Sequence, residues 1–387
     1  MTKRDALWIA ALYLAWLAAA YAINSAATGA RTPDDVFHAW VRFDGIYFRA
    51  IAEHGYAEAS RIIRYQQGFP FLTAAFPLFP LLIHLAVPLF AGDYTVAAVI
   101  VPQALTLLAL CALFNLVLLD FPKSVAWLTI LSLITFPTFY FLLAPYSESL
   151  FLLLVILTCY FYRRQQLWIV GLIGALAAAA RIVGAPLLLG AFALDMLRVT
   201  SDEWRVTSGE QHALRITYYA SRFMSLATRH SPLLLIPLGL LVYMAYQWWD
   251  FGDPLIFLRG HASSEWKVGF DLLGFFRGLA LPFYNLLSRD WTSPVFRTNI
   301  FNSIFFYFGI VVTVCAWRKL PPVYSLFGAL AIVLPTLTGS LISMPRFLLI
   351  SFPLFLSMGI FFAAHPRARI LLVPLGLAGL AATWLFF

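Results

Sequence analysis

The sequence predicts an all-α fold, a polytopic integral membrane protein of about 11 transmembrane helices with one further segment that enters the membrane without crossing it. Three observations lead there. Of the 387 residues, 62% are hydrophobic and 11% are charged, whereas a soluble domain is about 45–50% apolar and about 25% charged. Apolar stretches of membrane-spanning length recur from one end of the chain to the other. The Lys and Arg residues of the short loops separate onto one side of those stretches. A soluble fold of this composition would expose large apolar patches, which soluble monomers rarely do. A nucleic-acid-binding domain, a secreted disulfide scaffold and a soluble two-domain enzyme are thereby excluded. The net charge of +8 is read as orientation in the membrane and contact with anionic lipid head groups, not with nucleic acid. Cys111, Cys159 and Cys315 lie inside apolar stretches with no CxxC pair, so neither a disulfide framework nor a zinc site is indicated.

Twelve apolar segments are legible, at about 6–28, 69–91, 94–119, 125–143, 148–162, 167–180, 182–197, 231–249, 299–317, 322–341, 346–363 and 369–387. The loop charges test whether all of them span. If the N-terminus is cytoplasmic and 69–91 does not cross, Lys3, Arg4, Lys123, Arg163, Arg164, Arg318, Lys319, Arg367 and Arg369 all lie inside. Only Arg181 and Arg346 then stand in short outer turns, nine against two. If 69–91 crossed, four would be inside and seven outside. The positive-inside rule favours the first arrangement, with eleven spans and the C-terminus outside. Segment 69–91 agrees, because Pro70, Pro77, Pro80 and Pro88 break it into short pieces. Non-spanning backbone at that depth has to be buried in protein or line a wet cavity.

The first segment has a second reading as a cleaved signal, with a basic start and small residues near Ala27, although its apolar stretch is long and carries Trp8, Tyr13, Trp16 and Tyr21. Segments 167–180 and 182–197 together hold about 30 residues, roughly 46 Å of helix, too little for two passes through about 30 Å of hydrocarbon. The turn between them, at Arg181, is therefore expected below the outer surface. Loops 29–68 and 250–298 fall outside and 198–230 inside. In the inner loop Arg215, Arg222 and Arg229 share a helix face, the pattern of a helix lying on the membrane. Residues 265–287 read as an interfacial helix on the outer side. With no internal repeat and no low-complexity linker, residues 1–387 form one integral domain.

Most acids lie in loops. A helix is expected from about Phe43 to Glu53, with Ile46, Tyr47, Ala50 and Ile51 on its apolar face and Gly55 ending it. Asp44 near its start is either a simple capping acid or a chemical group. Glu148 stands in the turn APYSESL, where Ser147 or Ser149 can cap the next helix. Arg181 and Arg346 at helix ends can reach head groups, and Asp253 before Pro254 can form a turn. The combination says more than its members. The topology puts Asp44, Glu148, Arg181, Asp253 and Arg346, from five separate regions, at the outer face beside a proline-broken segment. Arginines bind phosphate well, and a carboxylate beside them can serve as a general base.

These residues carry a resemblance. The run RFDGIYFRAIAEHGY followed by AAFPLFPLL resembles the first luminal loop of PIG-V-type mannosyltransferases. Further matches follow in order: PYSESLF at 145–151, AAARIVGA at 178–185, GDPLIF at 252–257 with Trp266 after it, and RFLLISFPLF at 346–355. Phe43 stands where the family usually has Trp. The resemblance covers about residues 40 to 355 and implies a GT-C glycosyltransferase using a polyprenyl-phosphate sugar donor. It further implies Asp44 as the general base, with Arg181 and Arg346 stabilising the donor phosphate. Glu148 would orient the acceptor or pair with one arginine, and Asp253 and Trp266 would contact sugar or acceptor. The sugar implied is mannose and the acceptor a glycan or glycolipid. No cofactor is expected, with a divalent metal on these acids as the alternative. The membrane expected is the bacterial or archaeal cytoplasmic membrane rather than the endoplasmic reticulum, with the active site extracytoplasmic. Two rival classes are a transporter or lipid flippase, against which stand the scarcity of midplane charges and of repeats, and an acyltransferase, for which His84 is the one His inside an apolar segment.

Overall fold

In the computed structural model, residues 1–63, 71–206, 228–262, 271–287 and 294–387 are described, and every regular element among them is helical. The α-helices are α1 (Lys3–Thr28), α2 (Pro33–Trp40), α3 (Asp44–Ile62), α4 (Leu78–Ala86), α5 (Tyr94–Val117), α6 (Lys123–Ile134), α7 (Glu148–Arg163), α8 (Leu167–Ala180) and α9 (Gly184–Val206). They continue with α10 (Leu238–Phe251), α11 (Ile256–Ala262), α12 (Gly274–Leu287), α13 (Pro294–Ala316), α14 (Pro322–Thr336), α15 (Met344–Leu349), α16 (Phe352–Ala364) and α17 (Leu372–Phe386). Five stretches are long and apolar enough to cross a membrane: Lys3–Thr28, Tyr94–Val117, Thr228–Phe251, Thr298–Ala316 and Pro366–Phe386. Shorter apolar helices accompany them, as expected of a membrane protein.

Local chemistry sets the boundaries. Thr2 and Asp5 form a reciprocal capping box that starts α1, and Gly29, in the left-handed region at φ 71°, ends it. A second box, Thr32 with Asp35, starts α2 with Pro33 in its first turn. Asp93 caps α5 by accepting from the Thr95 and Val96 amides. The core is the pair α5 and α7, with α6 against α16, α8 against α7, and α9 against α14. Small residues allow the closest crossings. A Cβ on Gly239 of α10 would collide with the Ala175 carbonyl of α8, and one on Gly359 of α16 would collide with Thr129 of α6. Such close backbone approach is how membrane helices gain packing energy without help from water. The outer helices keep apolar faces open, with Trp249 92% and Leu385 85% exposed, surfaces that match lipid rather than water.

Several expected segments differ in detail. Segment 69–91 is broken into a 3-10 turn at Phe71–Ala74, helix α4 with Pro77 as its cap residue, and a second 3-10 turn at Val87–Phe90 that holds Pro88, while Pro80 sits within α4 and Pro70 lies outside the described residues. The helix from Asp44 does not stop at Gly55. That glycine adopts φ 73° and ψ 172°, which kinks the chain, and helix resumes as far as Ile62. Segment 346–363 is not one helix either, because it breaks at Ile350 and Ser351 into α15 and α16. Segment 125–143 is helical only to Ile134 and then forms a 3-10 turn at Phe139–Leu142. Segment 182–197 starts later, at Gly184, and its helix continues to Val206. Of the helix expected at 265–287, residues 265–270 lie outside the described residues, and helix is present over Gly274–Leu287. Of the basic inner helix, Arg215 and Arg222 lie outside the described residues, while Arg229 donates from Nη2 to Gln165 Oε1 at 2.9 Å.

Candidate functional site

Four of the residues singled out from the sequence meet at one point. Glu148 is the first residue of α7 and is fully buried. Its Oε1 lies 2.6 Å from Arg181 Nη1 and also accepts from Arg346 Nε. Arg346 Nη1 in turn donates to Asp44 Oδ2 at 2.6 Å. The arginine side chains are 14% and 15% exposed, Glu148 0% and Asp44 42%, so the chain of charges runs from the interior to an open carboxylate. Two cations and two anions balance. Removing the wholly buried Glu148 would leave two guanidinium charges undercompensated, whereas Asp44, at the open end, is partly screened by its exposure.

The local sequence explains how each arrives. Arg181 sits in extended backbone between α8 and α9, and its amide still bonds the Ala177 carbonyl at 3.2 Å. The turn between these helices is half-buried in the protein, and the Arg181 side chain meets Glu148. Asp44 opens α3, but the preceding cap residue, Phe43, makes no side-chain capping bond. Phe43 holds φ 49°, a conformation a bulky residue rarely adopts. Gly45 comes next, and a Cβ there would lie 2.6 Å from Pro145 Cγ. Only glycine lets the start of α3 seat against the turn that carries Glu148. Ser343, at φ 65°, is a second residue in the left-handed region and opens α15, the short helix of Arg346. Both helices that carry the Asp44–Arg346 pair thus begin at residues in the left-handed region.

Aromatic rings fix the guanidinium groups. The Arg346 guanidinium carbon stands 4.4 Å from the Tyr146 ring centroid and 5.7 Å from that of Phe141. That of Arg181 is 5.6 Å from the Phe347 centroid. Such stacking is strongest where water is excluded. Arg181 Nη1 also donates to Ser147 Oγ at 3.4 Å, so Ser147 serves the arginine and makes no side-chain cap.

Beside the cluster lies a cavity of about 320 Å³, within the range of small-molecule sites. Asp44, Arg181 and Arg346 line it together with Tyr47, Phe71, Phe76, His261, Ser343 and Phe347. Glu148 lies behind the arginines and away from its wall. The broken segment supplies Phe71–Phe76, so the proline-rich piece lines this cavity. Helix α11 packs against the Phe71–Ala74 turn and brings His261 to the wall. Burial lowers the His261 imidazole's affinity for a proton, and the Arg181 charge adds to that.

Asp253 is not brought to the cluster. Its Oδ1 accepts from the Leu255 amide at 3.0 Å, and its Oδ2 pairs with Arg259 Nη2 at 3.1 Å, so it shapes the turn ahead of α11. Trp266 lies outside the described residues. His84 Nδ1 lies 2.9 Å from the Ala52 carbonyl and 3.1 Å from the Tyr94 hydroxyl, tying α4 to α3 and α5. Tyr146, Phe141, Phe347 and His261 escape sequence reasoning as site residues. In a chain that is 17% aromatic, a ring under an arginine has no signature of its own. Among the described residues no three His, Cys, Asp or Glu side chains gather as a metal site. No family model matches the chain, and no curated protein matches it.

Proposed function

We propose that the protein is an inverting glycosyltransferase that moves a sugar, mannose by the resemblance of its motifs, from a polyprenyl-phosphate donor to a hydroxyl of a glycan or glycolipid acceptor. In this reading it has eleven spans and a GT-C-like architecture, and its cavity opens on the extracytoplasmic side. One observation carries the reading. An accessible carboxylate, Asp44, is bonded to an arginine that, with a second arginine, frames a cavity in a membrane-type fold. The Nη2 groups of Arg181 and Arg346 make no protein hydrogen bond among the described residues, which leaves donors for a phosphate.

The chemistry follows from the charges. The acceptor hydroxyl loses its proton to Asp44 as its oxygen attacks the anomeric carbon. The bond from that carbon to the donor phosphate oxygen breaks, and the phosphate leaves with one more negative charge. Asp44 has meanwhile become neutral. Arg346 is thereby released from its carboxylate partner as a new anion appears within reach, so the total charge of the site is constant through the step. Fixed donors aimed at developing charge are a strong source of catalysis. A phosphate is stable as an anion, so no second carboxylic acid is needed to protonate it, unlike the case of an inverting hydrolase. Glu148 holds both arginines in place and touches neither substrate.

The test is transfer of labelled mannose from polyprenyl-phosphate mannose to extracted glycolipids by the purified protein. Labelled product is expected with the wild type and not with Asp44→Asn. Donor that binds but is carried across vesicle membranes unchanged would identify a flippase instead.

A further inference from the structure

At the far end of the molecule, α1 and α6 begin side by side, with Lys123 Nζ 2.5 Å from Asp5 Oδ1. From there they run in the same direction and present matched layers at i, i+4 and i+8: Arg4 with Lys123, Trp8 with Trp127, Leu12 with Leu131. These side chains line an open groove of about 550 Å³. The next layer, Trp16 and Thr135, closes it. A Cβ on Gly376 of α17 would touch both, 3.8 Å from Trp16 and 3.6 Å from Thr135, so α17 crosses there. Asp5 is committed to Lys123 and to Thr2, and Arg4 has no carboxylate partner among the described residues. Trp8 is 58% exposed, although Trp127 is anchored edge-on against Phe114.

We propose that this groove is a binding site for one anionic glycerophospholipid. The gradient along it, from cation to indole to aliphatic side chain, is the polarity gradient of a lipid from phosphate to ester level to acyl chain. Tryptophan prefers that intermediate depth, and Lys and Arg at the surface attract anionic lipid. Both helix N-termini also point their positive ends at the phosphate position. Arg4 to Leu12 spans about 12 Å, enough to seat the phosphate and the upper part of one chain. A free phosphate would satisfy only the first layer. The inference stands on residues distant from the cavity and does not depend on the sugar-transfer reading.

Native mass spectrometry of the purified full chain, titrated with phosphatidylglycerol and separately with phosphatidylcholine, tests it. The wild type is expected to retain one phosphatidylglycerol in preference to phosphatidylcholine, and inorganic phosphate at millimolar concentration is expected not to displace it. Arg4→Gln is expected to weaken that retention about five- to tenfold, and Trp8→Ala to weaken it further. Both side chains are exposed, so neither change removes core packing. If Trp8→Ala does not purify, Arg4→Gln decides alone. Equal retention by wild type and Arg4→Gln, or equal retention of the two lipids, overturns the site. A photocrosslinker placed at Leu12 is expected to capture phosphatidylglycerol. Capture of a second copy of the chain would show that the groove is a protein interface and overturn the proposal as well.

Discussion

Helix α7 ends in a charged cluster on each side, and the two differ. At its C-terminal end Arg163 pairs with Asp120, whose other oxygen accepts from Tyr324 at 3.1 Å. At its N-terminal end Glu148 is shared by Arg181 and Arg346, and Arg346 reaches on to Asp44. The helix has 16 residues, so the two lie roughly 24 Å apart. The chemistry is the same, arginine on carboxylate, but the surroundings are opposite. Arg163 is 37% exposed, and its carboxylate is satisfied by one cation and one hydroxyl. Glu148 is wholly buried, and the arginines it holds open on a cavity. The first cluster ties loop ends together where water can screen it. The second keeps two cations in a fixed place away from water, an arrangement that costs desolvation and that a structural tie does not need.

That contrast can be broken by substitution. The largest effect is expected at Asp44. Asp44→Asn keeps the shape but cannot take a proton, and sugar transfer is expected to fall by about 10²–10⁴-fold with the melting temperature nearly unchanged. Asp35→Asn, in the same loop but in the capping box of α2, is the control and should transfer normally. Transfer assays on both variants decide whether Asp44 is the base.

Glu148→Gln comes next and should show itself in stability. It leaves two buried guanidinium groups with one carboxylate between them, a loss of about 3–5 kcal/mol. Thermal unfolding in detergent measures it, and a melting curve like that of the wild type would mean the arginines find other partners. Arg181→Ala is expected to weaken binding of the polyprenyl-phosphate donor by about 10- to 150-fold, the range of a charged hydrogen bond worth about 1.5–3 kcal/mol. Arg181→Lys should recover part of this. Donor affinity by titration reads both.

At the other end of α7, Arg163→Gln should lower stability by about 0.2–1 kcal/mol and leave transfer alone. An effect there as large as that of Glu148→Gln would erase the distinction between the two clusters. A final, fine effect concerns pH. His261 binds a proton less readily in the folded state, so the unfolded chain takes up the proton first as pH falls through about 6.5. Stability should therefore drop below that pH, and His261→Gln should flatten the drop in melting curves taken from pH 7.5 to 5.5.

Much of this molecule was legible in the order of its residues, because a bilayer simplifies the problem. Composition and apolar run length identify a helical membrane protein, since backbone polar groups in lipid must be paired within the segment. Prolines in 69–91 announced a broken segment for the same local reason. The apparent brevity of 167–197 drew notice to the turn at Arg181, but the second helix runs on to Val206. Asp44, Glu148, Arg181, Asp253 and Arg346 were recognisable as a set because charges are scarce in this chain, although Asp253 does not join the other four. Their mutual arrangement was not. That Glu148 lies behind two arginines, that Asp44 reaches Arg346, and that Asp253 stays in its own turn depend on contacts between residues up to 302 positions apart. So do the ring of Tyr146 under Arg346 and the strained start of α15 at Ser343. A sequence states which groups a membrane must hide or expose, because that is a property of each segment. Which hidden groups meet is decided only when the helices pack, because the energy of a buried charge depends on its neighbours in space and not on its neighbours in the chain.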